Sequence, residues 1–181
     1  MTVGITAVVS AIAVVQIGNT TQGLKGDSAM RVVLSQMNQA REMAITQRRY
    51  IRVTFDTVNT QVSLVREEIN GTTTSLTTLP FEAGAMYTLT SGVPDTPDAF
   101  GNSAPTAFTS PNGTFASASG SSFVAKFAPD GTFIDWTGKT ANGTVFTALP
   151  NVNLSARAVT VLGSTGRIRG YRWNGSAWVM V

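Results

Sequence analysis

Residues 30–56 read MRVVLSQMNQAREMAITQRRYIRVTFD, and the hydrophobic period changes within this stretch. In its first part, apolar side chains recur three and four residues apart, which is the spacing of one helix face. They are Met30, Val33, Met37, Ala40 and Ala44. The period then becomes two, with Ile51, Val53 and Phe55 on one side, as in a half-buried strand. The stretch therefore predicts an amphipathic helix over residues 27–49 that leads directly into the first strand of a sheet.

The segment that precedes this helix is apolar and uncharged. Residues 1–17 read MTVGITAVVSAIAVVQI, and the first basic side chain is that of Lys25. Three interpretations are open: a cleaved signal peptide, a buried helix of the head, or a helix in a membrane or a filament core. A signal peptide normally begins with a basic region, which is missing here. Small residues along the segment allow close helix packing and favour the third interpretation. Its apolar residues are Val3, Ile5, Val8, Val9, Ile12, Val14, Val15 and Ile17.

A glycine patch separates the apolar segment from the amphipathic helix. It contains Gly18, Gly23 and Gly26. We expect a break in the helix here, after which helical periodicity resumes. The expected organisation is an apolar helix with a glycine-rich break over residues 1–26, the amphipathic helix over 27–49, and a head over 50–181.

The head is predicted to be rich in β-structure. Turn signals occur at residues 56–60, 129–131 and 174–175. Residues 91–122 lack periodicity and are rich in Ser, Thr, Pro, Gly and Asn, so we expect an irregular loop there. Its phenylalanines, Phe100, Phe108 and Phe115, are expected to pack partly onto the head. Further strands are predicted over residues 61–67, 86–90, 122–128, 132–136, 145–148, 158–162, 167–173 and 177–181. The predicted fold class is α+β, with a long N-terminal helix packed on antiparallel sheets.

Composition argues against enzymatic chemistry. The 181 residues include no His and no Cys, and only 10 Asp and Glu. Without these residues the chain has no ready general base near neutral pH and no ordinary ligands for zinc or another transition metal. Glu67 and Glu68 are neighbours that would face opposite sides of a strand, so they do not form an acid/base pair. Asp95, Asp98 and Asn102 are better explained as a polar loop than as a calcium site. We therefore expect no catalytic residues, no metal, no cofactor and no small-molecule substrate.

A basic cluster near the end of the chain is the sharpest candidate site. It consists of Arg167, Arg169 and Arg172, with Tyr171, Trp173 and Trp178 close by. Arg167 and Arg169 are two residues apart, so they project from the same face of a strand, about 7 Å from each other. Such guanidinium groups suit phosphates, and an aromatic ring can stack on a base. The alternatives are contact with DNA, or arginines that solubilise an exposed strand or pair with a neighbouring subunit.

The order of these pieces resembles the pseudopilins and minor pilins of type II secretion systems and type IV pili, in particular the GspH/FimT-type family. The resemblance rests on TVGITAVVSAIAV at residues 2–14 and on the helix-to-strand stretch 30–56. FAPDGTF at 127–133 and STGRIRGYRW at 164–173 resemble the late hairpins of the family. Within the second of these, residues 166–169 resemble the GRxR element of DNA-binding minor pilins.

The resemblance implies a non-enzymatic subunit with a single helix in the bacterial inner membrane and its head in the periplasm. Its partners would be other pilin or pseudopilin subunits, which it joins through the N-terminal helix in a filament. It also implies a second possibility, a DNA-binding minor pilin that uses Arg167, Arg169 and Arg172. A third class, a soluble secreted carbohydrate-binding β-domain, stays open. The family begins with a basic leader and a mature start such as FTLIEL; neither is present here, so we expect the sequence to begin at an internal Met.

Overall fold

The fold is that of one long helix followed by a β-rich head. The computed structural model describes residues 2–82, 84–98, 106–110, 113–114, 122–135 and 137–181, with the backbone alone for 2–20, 107–110, 113–114 and 122–123. Helix α1 spans Thr2–Gln47, and a short 3-10 turn spans Asn153–Ser155. The strands are β1 (Ile51–Asp56), β2 (Gln61–Glu67), β3 (Thr73–Pro80), β4 (Met86–Tyr87), β5 (Thr106–Ser110), β6 (Gly113–Thr114), β7 (Ser122–Phe127), β8 (Phe133–Ile134), β9 (Asn142–Ala148), β10 (Arg157–Leu162), β11 (Arg167–Trp173) and β12 (Trp178–Met180).

The strands form two antiparallel sheets, so the predicted α+β class is confirmed. The first sheet has the order β3-β2-β1-β7-β8, and the second has the order β12-β11-β10-β9-β5-β6, with β4 also paired to β9. The hairpin predicted at residues 56–60 joins β1 and β2, where Asp56 lies opposite Gln61. The predicted turn at residues 174–175 joins β11 and β12, where Trp173 lies opposite Trp178.

Both sheets pack against the second half of the helix. All five residues of the predicted apolar stripe are buried, with exposures between 0% and 3%. They share one core with Val53 and Phe55 of the first sheet and with Val159 and Val161 of the second. The stripe prediction is confirmed because period and amphipathicity agree along this part of the helix.

The predicted break at the glycine patch is wrong. Helix α1 is continuous through residues 18–26, and no boundary separates the segments 1–26 and 27–49. Gly26 is buried where the helix crosses the 3-10 turn, and a Cβ atom built on it would collide with the carbonyl oxygen of Ser155. At this position the absence of a side chain therefore permits close approach of two backbones and does not interrupt the helix.

Strand β3 and the short strands β5 and β6 are absent from the sequence-based prediction. The sequence of β3, TTSLTTLP, shows no alternation of apolar and polar residues, because most of its side chains are exposed. Strands β5 and β6 lie inside the predicted irregular loop 91–122, so that prediction is partly wrong. Strands β4 and β8 are shorter than predicted, at two residues each. The side chains of Phe100, Phe108 and Phe115 lie outside the described residues.

Candidate functional site

The apolar residues predicted for a membrane or filament core lie in the first half of α1. The helix backbone includes Val3, Ile5, Val8, Val9, Ile12, Val14, Val15 and Ile17. Their side chains lie outside the described part of the structure, so their packing stays a prediction. Within the described residues, no helix is both long enough and apolar enough to cross a membrane.

Arg157 of β10 fastens the middle of the helix to the head. Its side chain is 2% exposed, and its Nε donates to the Asp27 carboxylate over 2.6 Å. Its Nη2 donates to the Gly23 carbonyl over 3.1 Å. Its Nη1 donates to the carbonyls of Leu154 and Ala156 over 2.8 and 2.9 Å. One buried guanidinium thus joins the helix, the 3-10 turn and β10, and the sequence analysis missed it. The only available signal was an arginine at the start of an otherwise apolar strand.

A second joint holds the end of the helix. Arg41 Nε donates to the Gly131 carbonyl over 3.4 Å, and its Nη2 donates to the Thr165 carbonyl over 3.2 Å. Gly166 has φ +62°, and a Cβ atom there would collide with the Gly131 carbonyl oxygen. The glycine that opens the Gly166–Arg169 element is therefore required by the backbone, whatever the arginines contact.

The three arginines of the predicted basic cluster do not form one surface. Arg167 and Arg169 project from the face of β11 that points away from α1. Arg167 Nη2 lies 3.4 Å from Asp98 Oδ2, and Arg169 Nη1 lies 3.6 Å from Asp98 Oδ1. Arg172 is on the opposite face, since Gly170, two residues before it, lies against Met30 of the helix. The structure brings the first two together, as the spacing predicted, and separates the third.

The aromatic residues of this region do not offer open faces. Tyr171 is 6% exposed and packs with Phe146 and Ala158, while Trp173 belongs to an adjoining buried cluster. Residues 88–98 cover this side of the second sheet, and the Trp178 Nε1–H donates to the Pro94 carbonyl over 2.7 Å. The prediction that an aromatic ring here stacks on a base is therefore wrong for Tyr171 and Trp173, whose faces pack against the protein.

The neighbouring acidic residues Glu67 and Glu68 serve as ion-pair partners. Glu67 accepts from Arg52 over 2.7 Å and lies 3.3 Å from Lys126 Nζ. Glu68 instead pairs with Arg66 over 2.7 Å. Burial alone would raise the pKa of Glu67, but the Arg52 hydrogen bond and the Lys126 charge outweigh burial and hold that pKa below its ordinary value of 4.5. Among the described residues, no group of three or more acidic side chains is placed to hold a metal ion.

The ion pairs of Glu67 predict acid sensitivity. A carboxylate whose pKa is depressed by folding stabilises the folded state above the unfolded pKa, and this stabilisation is lost as pH falls through the folded pKa. Glu67→Gln is therefore expected to lower the free energy of unfolding by about 1 kcal/mol near neutral pH, with a difference that vanishes well below pH 4.5. Urea unfolding at several pH values measures this. A difference that does not depend on pH would contradict it.

An open groove of about 780 Å³ lies between α1 and the loops of the head. It is lined by Thr21, Gln22 and Lys25 of the helix and by Met86, Leu149 and Pro150 of the head. The lining is largely apolar and carries one amine and no carboxylate. It therefore offers no paired groups for acid/base chemistry.

Comparisons with known proteins concern the architecture. No protein-family model matches the chain, and no curated protein sequence matches it. A solved structure with similar architecture is the type IV minor pilin FimU of Pseudomonas aeruginosa (strain PAO1). The alignment covers 84% of this chain and 91% of that chain, with a TM-score of 0.49 and 15% sequence identity. That protein is a minor pilin, the class that the sequence resembles.

Proposed function

We propose that this chain is a non-enzymatic subunit of a type IV pilus or type II secretion filament, held in the bacterial inner membrane by α1 before assembly. The observation that carries the proposal is the division of one continuous helix into two halves. Contacts of the second half with the head include the Gly23 carbonyl, which accepts from Arg157, and the Gln47 side chain, which accepts from Arg66. Residues 2–20 belong to the same helix and carry no charged residue.

The length and rigidity of α1 fit this role. At about 1.5 Å per residue, the first half of the helix adds roughly 28 Å, close to the thickness of a bilayer core. The joints made by Arg157 and Arg41 fix the second half on the head. A movement of the first half into a filament would therefore carry the head with it, and small residues along that half suit close packing against other helices.

The test places charges in the apolar half. Val9→Asp with Ile12→Asp is expected to remove the full-length chain from the membrane fraction and from filaments, because each charge costs about 3 kcal/mol at the centre of a membrane helix. The measurement is membrane fractionation and filament shearing of cells that express the chain, followed by immunoblotting.

The matched control carries the same number of charges on the head. Val58→Asp with Ile69→Asp alters apolar side chains that are already 70% and 84% exposed, so membrane recovery and assembly are expected to be unchanged. Full recovery of the Val9→Asp, Ile12→Asp variant in membranes and filaments would overturn the proposal. Release of the unmodified chain into the medium would instead favour the secreted carbohydrate-binding class.

The second candidate function is DNA contact through Arg167 and Arg169. The observation that favours it is their convergence on one anionic group, since both guanidinium groups reach the Asp98 carboxylate. An anion such as phosphate is held by the same geometry. Two such contacts would give weak binding that falls as salt rises.

The DNA prediction separates the two faces of β11. Arg167→Gln with Arg169→Gln is expected to abolish the salt-dependent retention of DNA, while Arg172→Gln is expected to change it little, because Arg172 lies on the other face. Asp98→Asn is expected to raise retention, since it removes the competing carboxylate. The readout is a DNA-retention assay across a salt series. Equal retention by all three variants would remove this candidate function.

A further inference from the structure

The two sheets each end in a strand that carries no charge. Strand β3 is one edge of the first sheet, whose other end is β8, and β12 is one edge of the second, whose other end is β6. The stretches 69–81 and 173–181, which contain these strands, include no Asp, Glu, Lys or Arg. Most of the inner strands differ, since β1, β2, β7, β10 and β11 contain charged residues, whereas β5 and β9 do not. Charge on an edge strand is a common protection against pairing with another chain, and both edges lack it.

Both edges also expose apolar side chains. Beside β3, a groove of about 400 Å³ separates the strand from α1. Its apolar lining comes from Leu79 of the strand and from Leu24 and Val32 of the helix, and its polar lining comes from Asp27, Ser28, Arg31 and Ser35. Leu24 and Leu79 are exposed. At the other edge, Val179, Met180 and Val181 are consecutive and exposed, with Met180 60% accessible. Each edge thus combines unpaired backbone groups with apolar surface, which are the two components of strand addition.

The two edges lie on opposite flanks of the helix. Leu34 and Met30 approach Gly170 of β11, the strand next to β12. Val32, two residues from Leu34, lines the groove beside β3. Residues two apart on a helix point to different sides, so α1 stands between the edges and one copy cannot pair them with each other. A contact between two different surfaces of the same protein repeats from copy to copy, and it builds a filament when the rotation between copies does not close into a ring.

We propose that β12 of one copy adds to β3 of the next copy and continues its sheet. Pairing falls on Thr77–Pro80, because the register of β3 shifts between its partners Leu64 and Val65, which separates this half of the strand from the other. Val179 faces the side of its sheet that carries α1, opposite Arg172 in register, and enters the groove beside Leu79. The choice of a second copy as occupant rests on the proposed filament function.

The absence of cysteine from the chain provides the test. Thr78 lies opposite Ser63, and Met180 lies opposite Tyr171, so both point away from α1 and neither lines the groove. Thr78→Cys with Met180→Cys in the full-length chain is expected to give a ladder of disulfide-linked multimers in sheared filaments after mild oxidation. Non-reducing electrophoresis measures the ladder. The control pair is Val58→Cys with Met180→Cys, which keeps one edge and moves the other cysteine to an exposed turn; no ladder is expected.

The outcomes separate this inference from the filament proposal. Filaments that contain the Thr78→Cys, Met180→Cys variant but give no ladder would overturn the edge pairing and leave the filament function intact. Dimers from Thr78→Cys alone would show a symmetric β3–β3 contact and would also overturn it. Failure of the chain to enter membranes or filaments at all would overturn both. In a complementary measurement, Thr78→Lys is expected to reduce assembly at least tenfold, whereas Val58→Lys is expected to leave it unchanged.

Discussion

Arg157→Met is expected to lower the free energy of unfolding by about 3–5 kcal/mol, the range observed when one partner of a buried ion pair is removed. The substitution leaves the Asp27 carboxylate without its cation and deprives the Leu154 and Ala156 carbonyls of a donor. It also removes the hydrogen bonds through which this side chain joins Gly23 of the helix to Leu154 of the 3-10 turn. Urea unfolding of the full-length chain in detergent, followed by tryptophan fluorescence, measures the loss.

The control for this substitution lies directly across the sheet. Arg172 is the register partner of Arg157, on the same face, but it is exposed. Arg172→Met is therefore expected to change stability by no more than about 0.5 kcal/mol. Adding Asp27→Leu to Arg157→Met should recover part of the loss, since an apolar pair can replace a buried ion pair. Equal effects of the two arginine substitutions would contradict the role assigned to Arg157.

Gly26→Ala is expected to destabilise the folded chain by about 1–3 kcal/mol, as overpacking of a closely fitted contact does. The new methyl group would meet the Ser155 carbonyl, which is backbone and cannot rotate away. The helix would have to move off the 3-10 turn, and the bond from Arg157 to Gly23 would be strained. The same unfolding measurement applies, and loss of protection from proteolysis near residues 149–156 would accompany the change.

Gly23 provides the matched control, one turn earlier in the same helix. The nearest atom to a Cβ at Gly23 is the Arg157 Nη2, at 3.9 Å, which is an ordinary contact. Gly23→Ala is therefore expected to stabilise the chain by up to about 1 kcal/mol, the difference in helix propensity. If both substitutions stabilised the chain equally, the close approach at Gly26 would be disproved. If both substitutions destabilised the chain, the helix would require glycine at both positions of the patch.

The hydrophobic periodicity of the sequence predicted secondary structure best where one face of an element is buried and the other is exposed to solvent. The stripe from Met30 to Ala44 and the alternation in β1 follow from this contrast, and both were predictable. Strand β3 was not, because an edge strand exposed on both sides carries no alternation to detect. The short strands inside residues 91–122 were missed for a related reason. Strand β5 pairs with β9, more than thirty residues later in sequence, and β6 pairs with β5.

The candidate sites divide in the same way. That Arg167 and Arg169 share a face follows from strand geometry alone. Their common partner Asp98, and the burial of Tyr171 under residues 88–98, depend on a loop whose path the sequence does not specify. The joint between Arg157 and Asp27 links residues 130 positions apart, and no local pattern reports a contact at that distance along the chain.

By itself, the sequence determined the α+β class, the helical stripe, the main strands and hairpins, and the absence of histidine and cysteine chemistry. These features depend on the spacing of residues along the chain, which is fixed before folding. The tertiary structure alone decided that the helix runs unbroken past Gly26 and that the basic cluster is split between two faces. It also decided that β3 and β12 lie at edges of the sheets. Each of these depends on which distant segments pack together, since burial, close approach and edge exposure are properties of the assembled sheets and not of any one segment.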